Sequence, residues 1–184
     1  MKLHELFETT GKSFRDVYGD ELGEEPDQYN GSLSCNKMLL TSLEGCPRKI
    51  MGDFSCFSNN LTSLKGGPEY VDDIFTCTHN KIETLEGVPS YIGNDAYFNN
   101  NKLMSLHNIH KLIKTFKGSF ISFADNPIKS HVLGLLLIDG LYGVILDNRA
   151  VSDIIDKHLE PGMRDVFACQ EELIEAGYEE FAQL

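Results

Sequence analysis

Apolar and polar positions in the central part of the chain repeat with a period of 21 residues. The stretch from Phe54 to Pro68 is followed by a matching stretch from Phe75 to Pro89. The matching pairs are Cys56/Cys77, Asn59/Asn80, Leu61/Ile82, Leu64/Leu85, Gly66/Gly87 and Pro68/Pro89. A period of about 20 to 30 residues is typical of a solenoid, in which each repeat buries its apolar face against the next. The pattern therefore predicts a stack of similar turns.

The pattern extends to about six turns between residues 31 and 150. In each turn, two apolar residues separated by one residue predict a short strand with both side chains directed inward. The predicted inward pairs are Leu33/Cys35, Phe54/Cys56, Phe75/Cys77, Ala96/Phe98, Ile121/Phe123 and Gly143/Ile145. Met38 stands where the other turns have asparagine, which favours an edge turn because terminal repeats are often atypical. The asparagine spacing lengthens to 25 residues between Asn101 and Asn126, and is 22 residues from there to Asn148.

The outer wall of the solenoid is predicted to change along the stack. The early turns end in Leu-x-Gly-x-Pro, which predicts tight turns. The apolar stretch from Ser130 to Leu141 predicts a helix outside the fifth turn. The expected fold is therefore an α/β solenoid with about six parallel strands, short turns on the early outer wall, helix on the late outer wall and a helical C-terminal cap.

Residues 1–30 do not follow the repeat and are interpreted as an acidic N-terminal cap. We expect a short helix near residues 2–9, with Phe14 and Val17 continuing its apolar face. The stretch from Gly19 to Asp27 is acidic and contains glycine and proline, so it predicts an exposed loop.

Residues 151–184 are interpreted as a helical C-terminal cap. Ser152 is the predicted N-cap of a first helix, which ends at Glu160-Pro161-Gly162. Pro161 is predicted to lie in the first turn of a second helix, and this helix is predicted to end at Gly177. The residues expected to face the solenoid are Ile154, Ile155, Leu159, Met163, Val166, Phe167, Leu173, Ile174, Phe181 and Leu184.

The net charge of −12 is confined to the two flanks. Residues 1–30 carry eight acids and three bases, residues 151–184 carry nine acids and two bases, and residues 31–150 carry eleven of each. Direct nucleic-acid binding is not expected, because that affinity depends on lysine and arginine. The longest apolar run, Val132 to Ile138, is too short to span a membrane, and the acidic N-terminus lacks the pattern of a signal peptide. We therefore expect a cytoplasmic protein without membrane contact.

The residues that carry chemistry do not form a catalytic or metal-binding pattern. Cys35, Cys56 and Cys77 belong to the repeat, and three collinear thiols do not make a tetrahedral site. His107 and His110 lie one helical turn apart without an acid spaced to complete a site, and Cys169 has no nearby base. We expect all five cysteines to be free, with Cys35, Cys56 and Cys77 packed in the core, and we expect no metal, no cofactor and no enzymatic activity.

The candidate site is the solvent face of the predicted sheet. Residues between the inward pairs point outward, and this places aromatic rings among small polar groups. Aromatic anchors surrounded by polar residues are typical of protein-binding surfaces, although sheets also carry aromatic residues for stability. The predicted partner-binding residues are Ser55, Phe57, Thr78, His79, Tyr97, Asn99, Asn100 and Asp125.

The repeat unit, apolar-x-apolar-x-x-Asn-x-apolar-x-x-apolar, resembles the leucine-rich repeat over about 120 of the 184 residues. In that family the asparagine forms a ladder by bonding backbone groups of the neighbouring turn. The endings Ser42–Pro47, Ser63–Pro68 and Thr84–Pro89 resemble short leucine-rich repeat proteins of tailed bacteriophages. The resemblance implies a phage protein that acts in the host cytoplasm on a host or phage protein, and it carries over no catalytic residue.

Two functions are consistent with the sequence. The first is a non-enzymatic module that binds a partner protein through the sheet face, for example to inhibit a host factor. The alternative is an acidic decoy whose charged flanks occupy a basic nucleic-acid site on a host enzyme or defence protein. A small enzyme based on Cys169 or the histidines is the weakest hypothesis. The sequence leaves the oligomeric state open.

Overall fold

Six short parallel strands, one from each turn of the chain, form a continuous sheet that we call the face sheet. The computed structural model describes residues 11–22 and 27–184. The strands of the face sheet are Leu33–Ser34, Phe54–Ser55, Phe75–Thr76, Ala96–Tyr97, Phe120–Ser122 and Gly143–Ile145, and they lie in the order of the sequence. The predicted parallel solenoid of about six turns is confirmed.

A second parallel sheet, which we call the wall sheet, forms the opposite side of the early turns. Its strands are Gln28–Tyr29, Lys49–Ile50, Tyr70–Val71, Tyr91–Ile92 and Thr115–Phe116. The predicted tight turns precede three of these strands, and Gly87 has a φ of +86° in one of them. A Cβ atom at Gly87 would lie 2.3 Å from the carbonyl carbon of Leu64, so the turn requires glycine. The wall sheet itself was not predicted from the sequence.

The late outer wall is helical, as predicted. A short α-helix spans Ile109–Leu112, and a 3₁₀ helix spans Leu133–Leu137 within the predicted stretch from Ser130 to Leu141. The 3₁₀ helix is shorter than predicted, and its buried residues include Leu133, Leu135 and Leu136. No helix in the described residues is long and apolar enough to cross a membrane.

The core is filled by one large and one small side chain in most turns of the face sheet. Phe54 and Phe75 sit at the first inward position beside Cys56 and Cys77, whereas the next two turns place phenylalanine at the second position. The ring centroids of Phe54/Phe75, Phe75/Phe98 and Phe98/Phe123 are 6.0, 5.5 and 5.0 Å apart. All five cysteines are free, as predicted, and all five are buried, including the predicted core residues Cys35, Cys56 and Cys77. The cysteines therefore pack the core beside the phenylalanines, as expected for small apolar side chains.

A ladder of four buried asparagines connects neighbouring turns. Asn80 is representative: its Oδ1 accepts from the Leu61 N–H at 3.0 Å, and its Nδ2 donates to the carbonyls of Cys56 and Cys77 at 2.9 and 3.1 Å. The other members, with the same bonding pattern, are Asn59, Asn101 and Asn126. Met38 occupies the first turn, where its own N–H donates to Asn59 at 3.0 Å.

The predicted phase of the sixth strand is wrong by one residue. Val144 pairs with Ile121, and Val144 and Leu146 are buried, whereas Ile145 is 44% exposed. Asn148 is not a ladder residue, because its side chain accepts from the Val151 N–H as the N-cap of the following helix. Ser152 lies inside that helix, so its predicted role as the N-cap is also wrong.

The described part of the N-terminal flank contains strand Lys12–Ser13, which pairs with Leu40–Ser42, and helix Phe14–Leu22. Phe14 is 1% exposed and Val17 packs against the core, as predicted. The prediction of an exposed loop from Gly19 to Asp27 is wrong for residues 19–22, because these residues belong to the helix. The predicted helix near residues 2–9 lies outside the described residues.

Two helices, Arg149–Leu159 and Val166–Glu175, form the C-terminal cap. The second begins after Asp165, whose carboxylate accepts from the N–H groups of Phe167 and Ala168, so Pro161 is outside it. Cys169 and Leu173 are its buried residues. Three residues predicted to face inward, Met163, Phe167 and Ile174, are instead exposed by 48%, 81% and 46%, and Leu184 is 52% exposed.

Candidate interaction surface

The solvent side of the face sheet carries two columns of outward side chains. Each strand residue between two buried neighbours points outward, so the columns follow the register of the strands. The ladder of backbone hydrogen bonds continues beyond the strands, for example from the Ser58 N–H to the Thr78 carbonyl at 2.9 Å. The first column is Ser34, Ser55, Thr76, Tyr97, Ser122 and Ile145, and the second is Asn36, Phe57, Thr78, Asn99, Ala124 and Asp147.

Five of the predicted site residues, Ser55, Phe57, Thr78, Tyr97 and Asn99, lie in these two columns and are half-buried. The structure therefore places them on one continuous surface. Phe57 and Tyr97 both retain solvent-accessible area, and the side chains beside them are mostly small and polar.

The other three predicted residues, His79, Asn100 and Asp125, lie at the rim of the face sheet. They are exposed and have φ values of +55°, +57° and +57°, so they form the turn that follows each strand. Asn100 Nδ2 donates to Asp125 Oδ2 at 2.9 Å, and the Asp125 N–H donates to Asp147 Oδ1 at 2.6 Å. These bonds tie the rim of three successive turns together.

Phe57 is held in place by the first turn. Its N–H donates to Asn36 Oδ1 at 2.8 Å, and Lys37 Nζ lies 5.3 Å from the centroid of its ring. A cation over an aromatic face is attractive, more strongly where water is excluded. The first turn therefore fixes the backbone at Phe57 and places a cation near its ring.

Asn99 and Ser122 repeat the residue types of Asn36 and Ser55 but differ from them in bonding. Ser55 Oγ donates to Asn36 Oδ1 at 2.6 Å across neighbouring strands. Asn99 and Ser122 occupy the equivalent positions on neighbouring strands, yet Asn99 Oδ1 and Ser122 Oγ are both buried and have no hydrogen-bond partner among the described residues. A buried polar atom without a partner costs about 1–3 kcal/mol.

Ser122 is buried beneath its neighbours on this side of the sheet, and only 2% of the residue is exposed to solvent. Its partners in the register are Tyr97 on one side and Ile145 on the other. Ile145 was predicted to face inward, so its contribution to this surface was missed. The signal in the sequence was the pair Val144/Leu146, which is also apolar and fits the same alternation.

The wall sheet carries a second aromatic pair that sequence reasoning missed. The rings of Tyr70 and Tyr91 stack at 4.2 Å with an interplanar angle of 13°. The Tyr70 hydroxyl donates to Asp72 at 2.6 Å, and this bond raises the pKa of Tyr70. Both tyrosines are half-buried, so the pair offers a matched comparison for the aromatic residues of the face sheet.

The described histidines differ in environment, and the Nδ1 atoms of His110 and His158 are buried without a hydrogen-bond partner among the described residues. His131 Nδ1 lies 3.0 Å from Ser105 Oγ, and the His107 ring meets the His131 ring edge-on. Burial raises the pKa of the Cys169 thiol to about 12, so the thiol is neutral at pH 7. Within the described residues, no three His, Cys, Asp or Glu side chains are grouped as a metal site requires.

Comparison with known proteins adds no relative to this description. The chain matches no protein-family model, no curated protein and no solved structure.

Proposed function

We propose that this protein is a non-enzymatic interaction module that binds a partner protein through the solvent side of the face sheet. The observation that carries the proposal is the position of two half-buried aromatic rings, Phe57 and Tyr97, among small polar side chains on one continuous surface. Rigid aromatic anchors contribute much of the energy of protein interfaces because they bury a large area at a low entropic cost.

The repeat endings support a proposal about the setting. Their resemblance to short leucine-rich repeat proteins of tailed bacteriophages makes a host or phage protein the expected partner. In that setting, occupation of the sheet face would modulate or inhibit a host factor.

A pull-down from bacterial host lysate tests the proposal. The bait would be the wild type, the double variant Phe57→Ser/Tyr97→Ser, and the control Tyr70→Ser/Tyr91→Ser, which removes two half-buried aromatic residues from the wall sheet instead. We expect one protein to be retained by the wild type and the control and to be lost by the face-sheet variant. Thermal unfolding of all three baits would confirm that each remains folded.

Retention of the same protein by all three baits would contradict the proposal. The acidic flanks would then be the next surface to mutate. A partner that is found must also bind the purified protein directly, and the affinity must fall at least tenfold in the face-sheet variant.

The acidic decoy is the second candidate, supported by the exposed Glu171, Glu175, Glu179 and Glu180 of the C-terminal cap. Its binding would depend on charge alone and would weaken steeply with added salt. Binding through Phe57 and Tyr97 would lose little affinity over the same range of salt, so a salt titration distinguishes the two candidates.

A further inference from the structure

The second cap helix, Val166–Glu175, exposes an apolar stripe on the side away from the solenoid. Phe167 is the most exposed of the large apolar side chains in the described residues, at 81%, and Ile174 is 46% exposed. Residues seven apart on an α-helix lie on nearly the same line, here about 10.5 Å apart. Phe167 and Ile174 therefore form one stripe, which we call the cap stripe, and Met163 lies just before it in the sequence.

The orientation of this helix is fixed by contacts on its other side. Cys169 and Leu173 are fully buried, and Gln170 Nε2 donates to the Ala182 carbonyl at 2.9 Å. Glu172 accepts from Lys157 Nζ at 2.7 Å and lies 2.8 Å from His158 Nε2. Turning Phe167 inward would expose two core residues and break these contacts, so the stripe remains on the surface.

The surroundings of the cap stripe are negative. The acids Glu171, Glu175, Glu179 and Glu180 are exposed, and none of them has an ion-pair partner among the described residues.

Both bases of residues 151–184 are already engaged. Lys157 binds Glu172, and Arg164 donates to the backbone carbonyls of Leu136, Ile138 and Leu141. A second copy of the chain would bring like charges together, since this flank carries nine acids and two bases. The complement of the surface is therefore apolar along one line and positively charged beside it.

We propose that the cap stripe docks a basic amphipathic helix of a partner protein, with Phe167 and Ile174 as the apolar anchors. Docked helices contact each other through apolar side chains at this spacing, and lysine or arginine beside the partner's apolar face would lie next to Glu171 and Glu175. The inference is independent of the proposed function, because the cap stripe shares no residue with the face sheet. It also differs from the decoy hypothesis, because part of the affinity is apolar and resists salt.

Fluorescence anisotropy with labelled model helices tests the inference. The probe is a peptide of about 18 residues, made of leucine at helical spacing and lysine elsewhere, which is long enough to form a helix on binding. Two matched peptides replace all lysines with glutamate or all leucines with serine. We expect the leucine/lysine peptide to bind at physiological salt and the other two to bind at least tenfold more weakly.

Variants locate the binding on the cap. Phe167→Ala should weaken the leucine/lysine peptide at least tenfold, since a buried phenylalanine removes a large apolar area from water. Glu171→Gln/Glu175→Gln should weaken it severalfold, and Phe57→Ala, on the face sheet, should leave it unchanged. Ile174→Ala serves as a second test of the stripe if Phe167→Ala alters the thermal unfolding of the protein.

Two results would overturn the inference. One is an unchanged affinity of the leucine/lysine peptide in both Phe167→Ala and Ile174→Ala. The other is equal affinity of the lysine/serine peptide, which would show that charge alone holds the peptide.

Discussion

The bonding difference between the Asn36/Ser55 and Asn99/Ser122 pairs leads to opposite predictions for two equivalent substitutions. Ser55→Ala removes a hydroxyl that donates at 2.6 Å, so it should destabilise the protein by about 1 kcal/mol, the net value of one hydrogen bond. Ser122→Ala removes a buried hydroxyl that has no partner among the described residues, so it removes a desolvation cost. We expect Ser122→Ala to stabilise the protein by about 1 kcal/mol, because the alanine methyl group carries no polar atom that must be desolvated on folding.

Urea denaturation at pH 7 measures both free energies of unfolding. The expected separation between the two variants is about 2 kcal/mol, with the denaturant slope unchanged from the wild type. Equal destabilisation by the two substitutions would refute the reasoning, because it would mean that Ser122 bonds Asn99 in solution as Ser55 bonds Asn36. The candidate surface would then lose its unpaired polar groups.

Two further predictions concern the ladder and the pH dependence of stability. Asn80→Ala should lower the free energy of unfolding by about 2–3 kcal/mol, because it leaves the Leu61 N–H buried without a partner and removes one of the two asparagine hydrogen bonds to each of the Cys56 and Cys77 carbonyls. Asn60→Ala, at the partly exposed neighbour, should change it by less than about 0.5 kcal/mol, and similar losses for the two variants in urea denaturation would argue against the ladder. Burial, with a smaller contribution from His107, lowers the pKa of His131 below its ordinary value of 6.5, so the folded state favours the neutral ring. The stability that His131 contributes is therefore present above pH 6.5 and is lost as the pH falls through the folded pKa. Asparagine tolerates the left-handed backbone at this position, so His131→Asn should flatten the dependence of the thermal midpoint on pH in this range. An unchanged slope in the variant would assign the pH dependence to other groups.

The first five strands could be predicted because their period and chemistry agree. In the second to fifth turns the asparagine is buried and forms hydrogen bonds with backbone groups of the turn before it, so its position cannot shift without leaving backbone groups unpaired. The inward columns follow from the same spacing. The rings of Phe75 and Phe98 remain in contact, with centroids 5.5 Å apart, although phenylalanine moves from the first inward position to the second between these turns.

The sixth strand was misplaced because two phases satisfy the same apolar alternation. The choice between them is made by the first cap helix, which the repeat pattern does not contain. Asp156 Oδ1 accepts from the Val144 N–H, and Ser152 Oγ accepts from the Leu146 N–H, both at 2.8 Å. These side chains take the place of a seventh strand, and they select the phase that directs Val144 and Leu146 inward.

The wall sheet was missed for a different reason. Each of its strands has two residues, and only one of them, such as Ile50, Val71 or Ile92, faces the core. Two residues are too few for an alternation to be recognised within one turn. The signal existed only between turns, in the recurrence of an apolar residue every 21 positions.

The core and the candidate surfaces make separate demands on the sequence, and this separation makes the functional proposals testable. The free energy of each turn depends on its inward pair and its asparagine, as Phe75, Cys77 and Asn80 illustrate. Phe57, on the face sheet, is half-buried, and Phe167, on the cap, is 81% exposed, so neither belongs to the buried core. Aromatic residues outside the core expose apolar area to water, which is unfavourable. Burying that area against a partner would therefore contribute favourably to the free energy of binding. Substitutions at these two positions should therefore change binding far more than stability, and each surface can be removed while the other is left intact.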